Sequence, residues 1–234
     1  MTIMEETAMA NGILFVISGP SASGKGTVVK SLLDKYDDIG LSVSATTRAP
    51  REGEVDGKNY FFITKDEFEA RLSRGEILEH TVYNNQYYGT PYTGVKEALD
   101  SGRDIILEIE VDGACQVKKK FGDSAVTIML TPPDFKTLES RLRGRNSEKS
   151  EEAIQWRLNR AKEEIKLVGE YDYWVVNEDG QVDACADLIH KIIEAQRIMR
   201  QGKTTLTDDE KSLIELASSR KIGADTSEII KKFI

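Results

Sequence analysis

Along most of this chain, apolar runs of strand length alternate with segments of helical period. The run Ile13-Leu14-Phe15-Val16-Ile17 has no polar interruption and predicts a strand buried on both faces. Val28, Val29, Leu32 and Leu33 follow at helical spacing. Residues 105–111, 125–130 and 173–176 predict further strands, and residues 114–120, 133–143, 151–168 and 182–199 predict helices. This alternation predicts an α/β fold: a parallel sheet with helices on both faces.

Two regions break the rhythm. Residues 44–95 are rich in Thr, Tyr, Gly and Arg, and carry a helix opened by the capping box Thr64-Lys65-Asp66-Glu67 and stopped at Gly75. They predict an inserted lobe. Residues 141–157 place Arg141, Arg143, Arg145 and Arg157 around Gly144 and Asn146, which predicts a mobile basic lid. Beyond residue 200, the box Thr207-Asp208-Asp209-Glu210 opens an amphipathic helix, and a second short helix is expected over 227–233. This tail is expected to pack on the core or on a second copy of the chain.

Between the first strand and the first helix lies Gly19-Pro20-Ser21-Ala22-Ser23-Gly24-Lys25-Gly26-Thr27. A glycine-rich turn from strand into helix wraps backbone N–H groups around a phosphate chain. The helix N-terminus adds its dipole, and Lys25 adds an ammonium for the outer phosphates. The usual magnesium-binding hydroxyl directly after the lysine is replaced by Gly26, and the hydroxyl comes one residue later on Thr27.

Composition narrows the partners. The 234 residues are 39% hydrophobic and 31% charged, with a net charge of −8, which speaks for a soluble globular protein and against general nucleic-acid binding. An anion site must then be a local cluster of Arg and Lys. Cys115 and Cys185 show neither disulfide nor metal-ligand spacing, so a reduced, cytoplasmic setting is expected. Residues 1–10 hold two glutamates and no basic residue, unlike a secretory signal, and no apolar stretch approaches membrane-spanning length.

Candidate chemistry lies in the irregular regions and at the strand ends. In Ser42-Val43-Ser44-Ala45-Thr46-Thr47-Arg48-Ala49-Pro50-Arg51, the guanidiniums of Arg48 and Arg51 either converge on one phosphate or form a solvated basic loop. Tyr60 and Tyr88 either add hydroxyls to that anion or serve as packing residues. Glu79 either lies on a surface strand or accepts two donors from one planar edge, as guanine offers and adenine does not. Glu108 and Glu110, two apart on the predicted strand, are expected to face the same side. Carboxylates there suit magnesium or its water shell. The lid arginines suit charge stabilisation of a transferred phosphoryl group.

Several pieces in order resemble guanylate kinase over residues 12–197: GPSASGKGT at 19–27, SVSATTRAPREGEVDGKNYFF at 42–62, GEILEH at 75–80, NQYYGTP at 85–91, LEIEVDGA at 107–114, RLRGRNSE at 141–148 and YWVVN at 173–177. The resemblance implies a P-loop nucleoside monophosphate kinase with core 11–43, 96–140 and 158–200, a GMP-binding lobe 44–95 and a lid 141–157. Residues 201–234 would form a helical extension outside it. It implies the reaction ATP + GMP ⇌ ADP + GDP with Mg²⁺, in purine nucleotide metabolism.

By position, Ser44, Glu79, Thr90 and Glu110 look like the guanine-side residues, and Arg48, Arg51, Tyr60 and Tyr88 like the clamp on the GMP phosphate. Residues 19–27 and Asn177 look like the ATP site. Lys25, Arg48, Arg141, Arg145 and Arg157 look like catalytic cations, and Glu108 like an acidic residue that meets the metal through water. Asp112 and Ala22 depart from the family pattern. A methyl at Ala22 fits only if that residue avoids positive φ, and a modest effect is expected. Two rivals are a non-catalytic module binding phosphopeptides and a kinase of a ribose bisphosphate. Oligomeric state is open.

Overall fold

The computed structural model describes residues 12–83, 85–144 and 150–234. Its strands are β1 (Leu14–Ser18), β2 (Gly40–Leu41), β3 (Ala45–Thr46), β4 (Phe61–Phe62), β5 (Ile77–Tyr83), β6 (Gln86–Pro91), β7 (Ile105–Glu108), β8 (Ala125–Thr131) and β9 (Tyr173–Val176). Its helices are α1 (Lys25–Lys35), α2 (Lys65–Ser73), α3 (Tyr92–Asp100), α4 (Val111–Phe121), α5 (Phe135–Arg143), α6 (Glu151–Ile165), α7 (Val182–Arg200), α8 (Asp208–Ser218) and α9 (Ser227–Ile230). One sheet has the order β2-β7-β1-β8-β9, and a second has β4-β3-β6-β5. The pairs β2–β7 and β8–β9 are parallel, as the β/α alternation predicts. Every residue of β1 and β8 is buried, the signature of central strands covered on both faces.

The described chain forms two compact units. One comprises Asp37–Ala125 with the chain up to Val16. In it, β3 pairs in parallel with β4 and antiparallel with β6, and β5 and β6 form a hairpin. Ala45, Phe68 and Ile77 make the core of this sheet, with Ile63, Leu72 and Tyr87 packed against them. Helix α2 starts where the Thr64 hydroxyl accepts the Glu67 N–H, one half of the expected capping box; the Glu67 carboxylate instead accepts from Arg71 Nε (2.7 Å), one turn on.

The strand β7 ends at Glu108, short of the predicted end. Glu110 has left the strand and stands as the N-cap of α4. The expectation that Glu108 and Glu110 share one face of a strand is therefore corrected: β7 ends at Glu108, and Glu110, extended in backbone but outside the strand, caps α4.

The other unit comprises Ile17–Tyr36 and Val126–Ile234. Its tail packs on the same chain. Thr207 opens α8 with both bonds of a capping box, and α8 packs against α7. The chain then runs beside β9: the Trp174 N–H donates to Arg220 O and the Ile222 N–H to Asp172 O, each at 3.0 Å. An antiparallel bridge joins Tyr173 to Lys221. The unpaired edge of β9 is thus covered, which removes a template for pairing with another chain. At the end of the tail, Phe233 is 1% exposed and Lys232 O accepts the Phe135 N–H that begins α5 (2.9 Å).

Candidate active site

The loop between β1 and α1 has the predicted strand–turn–helix form. Its turn is closed by the Ser23 N–H donating to Pro20 O (3.1 Å). Gly24, the N-cap of α1, has φ 90°, and a Cβ there would come within 2.4 Å of Asn177 Nδ2. Glycine is needed at this position for both backbone angle and space. Asn177, just past β9, donates from Nδ2 to Ser23 O (2.9 Å). Lys25 Nζ donates to Gly19 O (2.6 Å). Ser23 Oγ and Asn177 Oδ1 are buried and have no hydrogen-bond partner among the described residues. An orphaned buried polar atom costs about 1–3 kcal/mol, so such a pair beside a P-loop marks a place that a polar ligand can repay.

Ala22 has φ 68°, in the left-handed region. This corrects the expectation that the methyl survives by avoiding positive φ. The conformation costs about 1–2 kcal/mol for a residue with a Cβ. Burial of the methyl (4% exposed) returns about 0.8 kcal/mol, and the stiffer unfolded chain about 0.4–1 kcal/mol relative to glycine. The terms nearly cancel, so A22G is expected to change stability by less than about 1 kcal/mol, read from urea denaturation midpoints.

Arg141, in the last turn of α5, is held on several sides. Its Nη2 donates to Asn177 O (2.8 Å) and to Asp179 Oδ1 (2.6 Å), its Nε also reaches Asp179 Oδ1 (3.0 Å), and its Nη1 approaches Ser23 O (3.4 Å). Arg157, on α6, donates from Nη1 to Ser21 Oγ (3.2 Å). The structure therefore brings Lys25, Arg141, Arg157 and Asn177 to one loop. Thr27 and Gly26 lie exposed at the start of α1. Arg145 falls outside the described residues.

In the first unit, Glu79 is 3% exposed, so it is a buried residue rather than a surface one. Between Ile77 and His80 the β5–β6 register shifts, and this irregularity brings Glu79 opposite Thr90. The Thr90 hydroxyl donates to Glu79 Oε1 (2.7 Å). Burial pushes the Glu79 carboxyl up to about 7; the Thr90 bonds oppose the shift and the nearby Glu110 charge adds to it. Next to it, Gln116 of α4 grips the His80 backbone at both ends, donating to His80 O (2.8 Å) and accepting from His80 N (3.2 Å). Sequence reading missed Gln116, since nothing local marks a pair 36 residues apart.

Arg48 is fixed by Glu54 through two parallel bonds of 2.9 Å, and Glu54 also accepts the Arg51 N–H (2.7 Å). The guanidinium holds the Glu54 carboxyl down at about 2. The Tyr60 ring lies 5.5 Å from the guanidinium carbon and 6.1 Å from the Tyr88 ring. Burial pushes the Tyr60 phenol up, with a further contribution from the Glu108 charge. Ser44 is half-buried just before β3, and its carbonyl accepts the Phe61 N–H (2.9 Å). The structure thus assembles Arg48, Tyr60 and Tyr88, while Arg51 lies exposed beside them. Glu54, which organises this cluster, was not singled out from sequence, although a carboxylate close after paired arginines could have flagged it.

A P-loop joined to two arginines, with a parallel sheet behind it and a separate cluster suited to an anion, defines a phosphoryl-transfer enzyme of the P-loop kinase class. The family model for guanylate kinase matches residues 12–196. A guanylate kinase of Lactococcus lactis is 51% identical over 185 residues, covering 79% of this chain and 88% of that protein. One from Halalkalibacterium halodurans is 49% identical over 190 residues, covering 81% and 91%. The crystal structure of guanylate kinase from Anaplasma phagocytophilum superposes with a TM-score of 0.65 at 30% identity, covering 88% of this chain and 95% of that one. The chain belongs to the guanylate kinase family. Its tail lies beyond the family match.

Proposed function

We propose that this protein transfers the terminal phosphoryl group of ATP to GMP, giving ADP and GDP, and so recycles GMP in purine nucleotide metabolism. The observation that carries the guanine assignment is the buried carboxylate of Glu79, fixed through one oxygen by Thr90. Ionising it costs free energy that a neighbouring pair of donors repays, and N1–H with the 2-amino group of guanine supplies such a pair. Ser44 and Glu110 complete the guanine side. Arg48, Arg51, Tyr60 and Tyr88 hold the GMP phosphate.

Residues 19–27 and Asn177 bind ATP, with the orphaned Ser23 and Asn177 atoms among its partners. Lys25, Arg141, Arg145 and Arg157 neutralise charge on the transferred group. No general base is required, because a GMP phosphate oxygen is already an anionic nucleophile; catalysis is alignment plus electrostatics. Among the described residues no group of three His, Cys, Asp or Glu could cage a metal. Mg²⁺ is commonly held by substrate phosphates, water and one or two carboxylates. Glu108 is the residue that would meet its water shell, and the ion would offset phosphate charge. Among the described residues no helix is long and apolar enough to cross a membrane. The substrates suit the cytoplasm, as do two cysteines, Cys115 and Cys185, that form no disulfide.

The direct test is chromatography of a reaction containing ATP, Mg²⁺ and GMP. GDP and ADP should form in equal amounts. ADP formation independent of GMP would overturn the proposal. E54Q tests the phosphate clamp: losing one charge-assisted pair to Arg48 is expected to raise the KM for GMP about fivefold to tenfold and leave that for ATP unchanged. Because the Glu54 carboxyl is depressed to about 2, the stabilisation from this pair is complete above about pH 4.5 and is lost as pH falls through about 2.

A further inference from the structure

Helix α4 passes close to Glu79 at a residue that has no side chain. A Cβ built on Gly113 would sit 2.1 Å from Glu79 Oε2, 3.0 Å from its carboxyl carbon and 3.4 Å from Ile109 Cδ1. Atoms that close must move. The far end of a glutamate ordinarily moves easily, but this one is confined. It is 3% exposed, its Oε1 is bonded to Thr90 Oγ1, and the adjoining His80 backbone is bonded at both ends to Gln116 of the same helix. Gly113 has ordinary helical geometry, as it is absent from the positive-φ glycines among the described residues. Gly113 is the third residue of α4, in its first turn, so neither a left-handed backbone angle nor a helix end calls for glycine here. Space for the carboxylate is the remaining reason.

We propose that Gly113 is a positioning residue for guanine recognition: the missing side chain gives the second oxygen of Glu79 its place, and so fixes the angle at which the carboxylate meets the base. This rests on the reading of Glu79 as the guanine acceptor. With Oε1 tied to Thr90, a methyl at position 113 displaces Oε2 and rotates the carboxylate plane. Two-point recognition of N1–H and the 2-amino group suffers, whereas the ATP side does not depend on it.

The test is G113A, assayed with GMP and with IMP, which keeps N1–H and lacks the 2-amino group. The kcat/KM for GMP is expected to fall tenfold or more, the GMP/IMP ratio to fall several-fold, and the KM for ATP to stay within twofold. In the E79D background, where the shorter acid leaves room, G113A should cost less than twofold. An unchanged GMP/IMP ratio in G113A, or the same loss in both backgrounds, would overturn the proposal. Should the single variant fail to fold, a folded E79D/G113A double variant supports it and failure of both overturns it. Absence of GMP turnover in the unsubstituted protein would instead overturn the functional reading on which the proposal stands.

Discussion

E79Q is expected to lose GMP turnover and gain stability at once. Glutamine keeps one acceptor and sets an amide N–H₂ against a donor of the base, so two favourable contacts become one contact and one repulsion. The expected loss in kcat/KM for GMP is about 100-fold or more, on the scale seen when a site built for a hydrogen bond meets the wrong group. ATP binding should change little. Stability moves the other way because burial raises the Glu79 carboxyl to about 7 in the folded chain. A carboxyl raised on folding favours the folded state below its unfolded pKa, near 4.5, and that contribution is lost as pH rises through about 7. Above that pH the ionised carboxylate costs at most about 3 kcal/mol, and removing the charge recovers part of it. The Tm of E79Q should exceed that of the parent by about 3 °C or more at pH 8, and the difference should vanish below pH 4.5. Parallel melts at both pH values read this, and an E79Q melt below the parent at pH 8 would show that the carboxylate is not under strain.

F233A is expected to destabilise the protein more than most single substitutions. Phe233 is 1% exposed, and truncating a buried phenylalanine to alanine costs about 3–5 kcal/mol. In a chain of this size that lowers Tm by about 6 °C or more. Deleting residues 203–234 should be worse. It leaves the Trp174 N–H, Asp172 O and Phe135 N–H without their partners and bares the edge of β9, so melting and self-association should both change. Because β9 leads to Asn177 and α5 carries Arg141, the activity that remains should show a raised KM for ATP. Calorimetry with size-exclusion chromatography checks this. A truncated chain that melts like the parent would mean that the tail only rests on the surface.

The expectations that held have a common origin. Period and capping chemistry are local, so β1, β8, β9, α7 and both sides of the Thr207 capping box were legible as sequence. What was not legible depends on distant approach. Nothing near Gly113 says that a carboxylate from β5 will fill its missing side chain, and nothing near Gln116 says that it will pin His80. The Glu108–Glu110 reading failed because the strand was carried past Glu108, where β7 ends and the chain turns toward α4. Ala22 shows the opposite error: a local rule excluded positive φ, and the surrounding loop holds that residue there nonetheless. The tail's amphipathic period promised packing, but an antiparallel bridge to the edge of β9 cannot be read from residues 219–222 alone.

The central claim, a GMP kinase that reads guanine, is tested most directly by ADP production from ATP and Mg²⁺ with GMP, dGMP, AMP, CMP and UMP offered in parallel. Turnover confined to the two guanine nucleotides is the predicted result. Comparable turnover with AMP, or none with any acceptor from a folded protein, would contradict it.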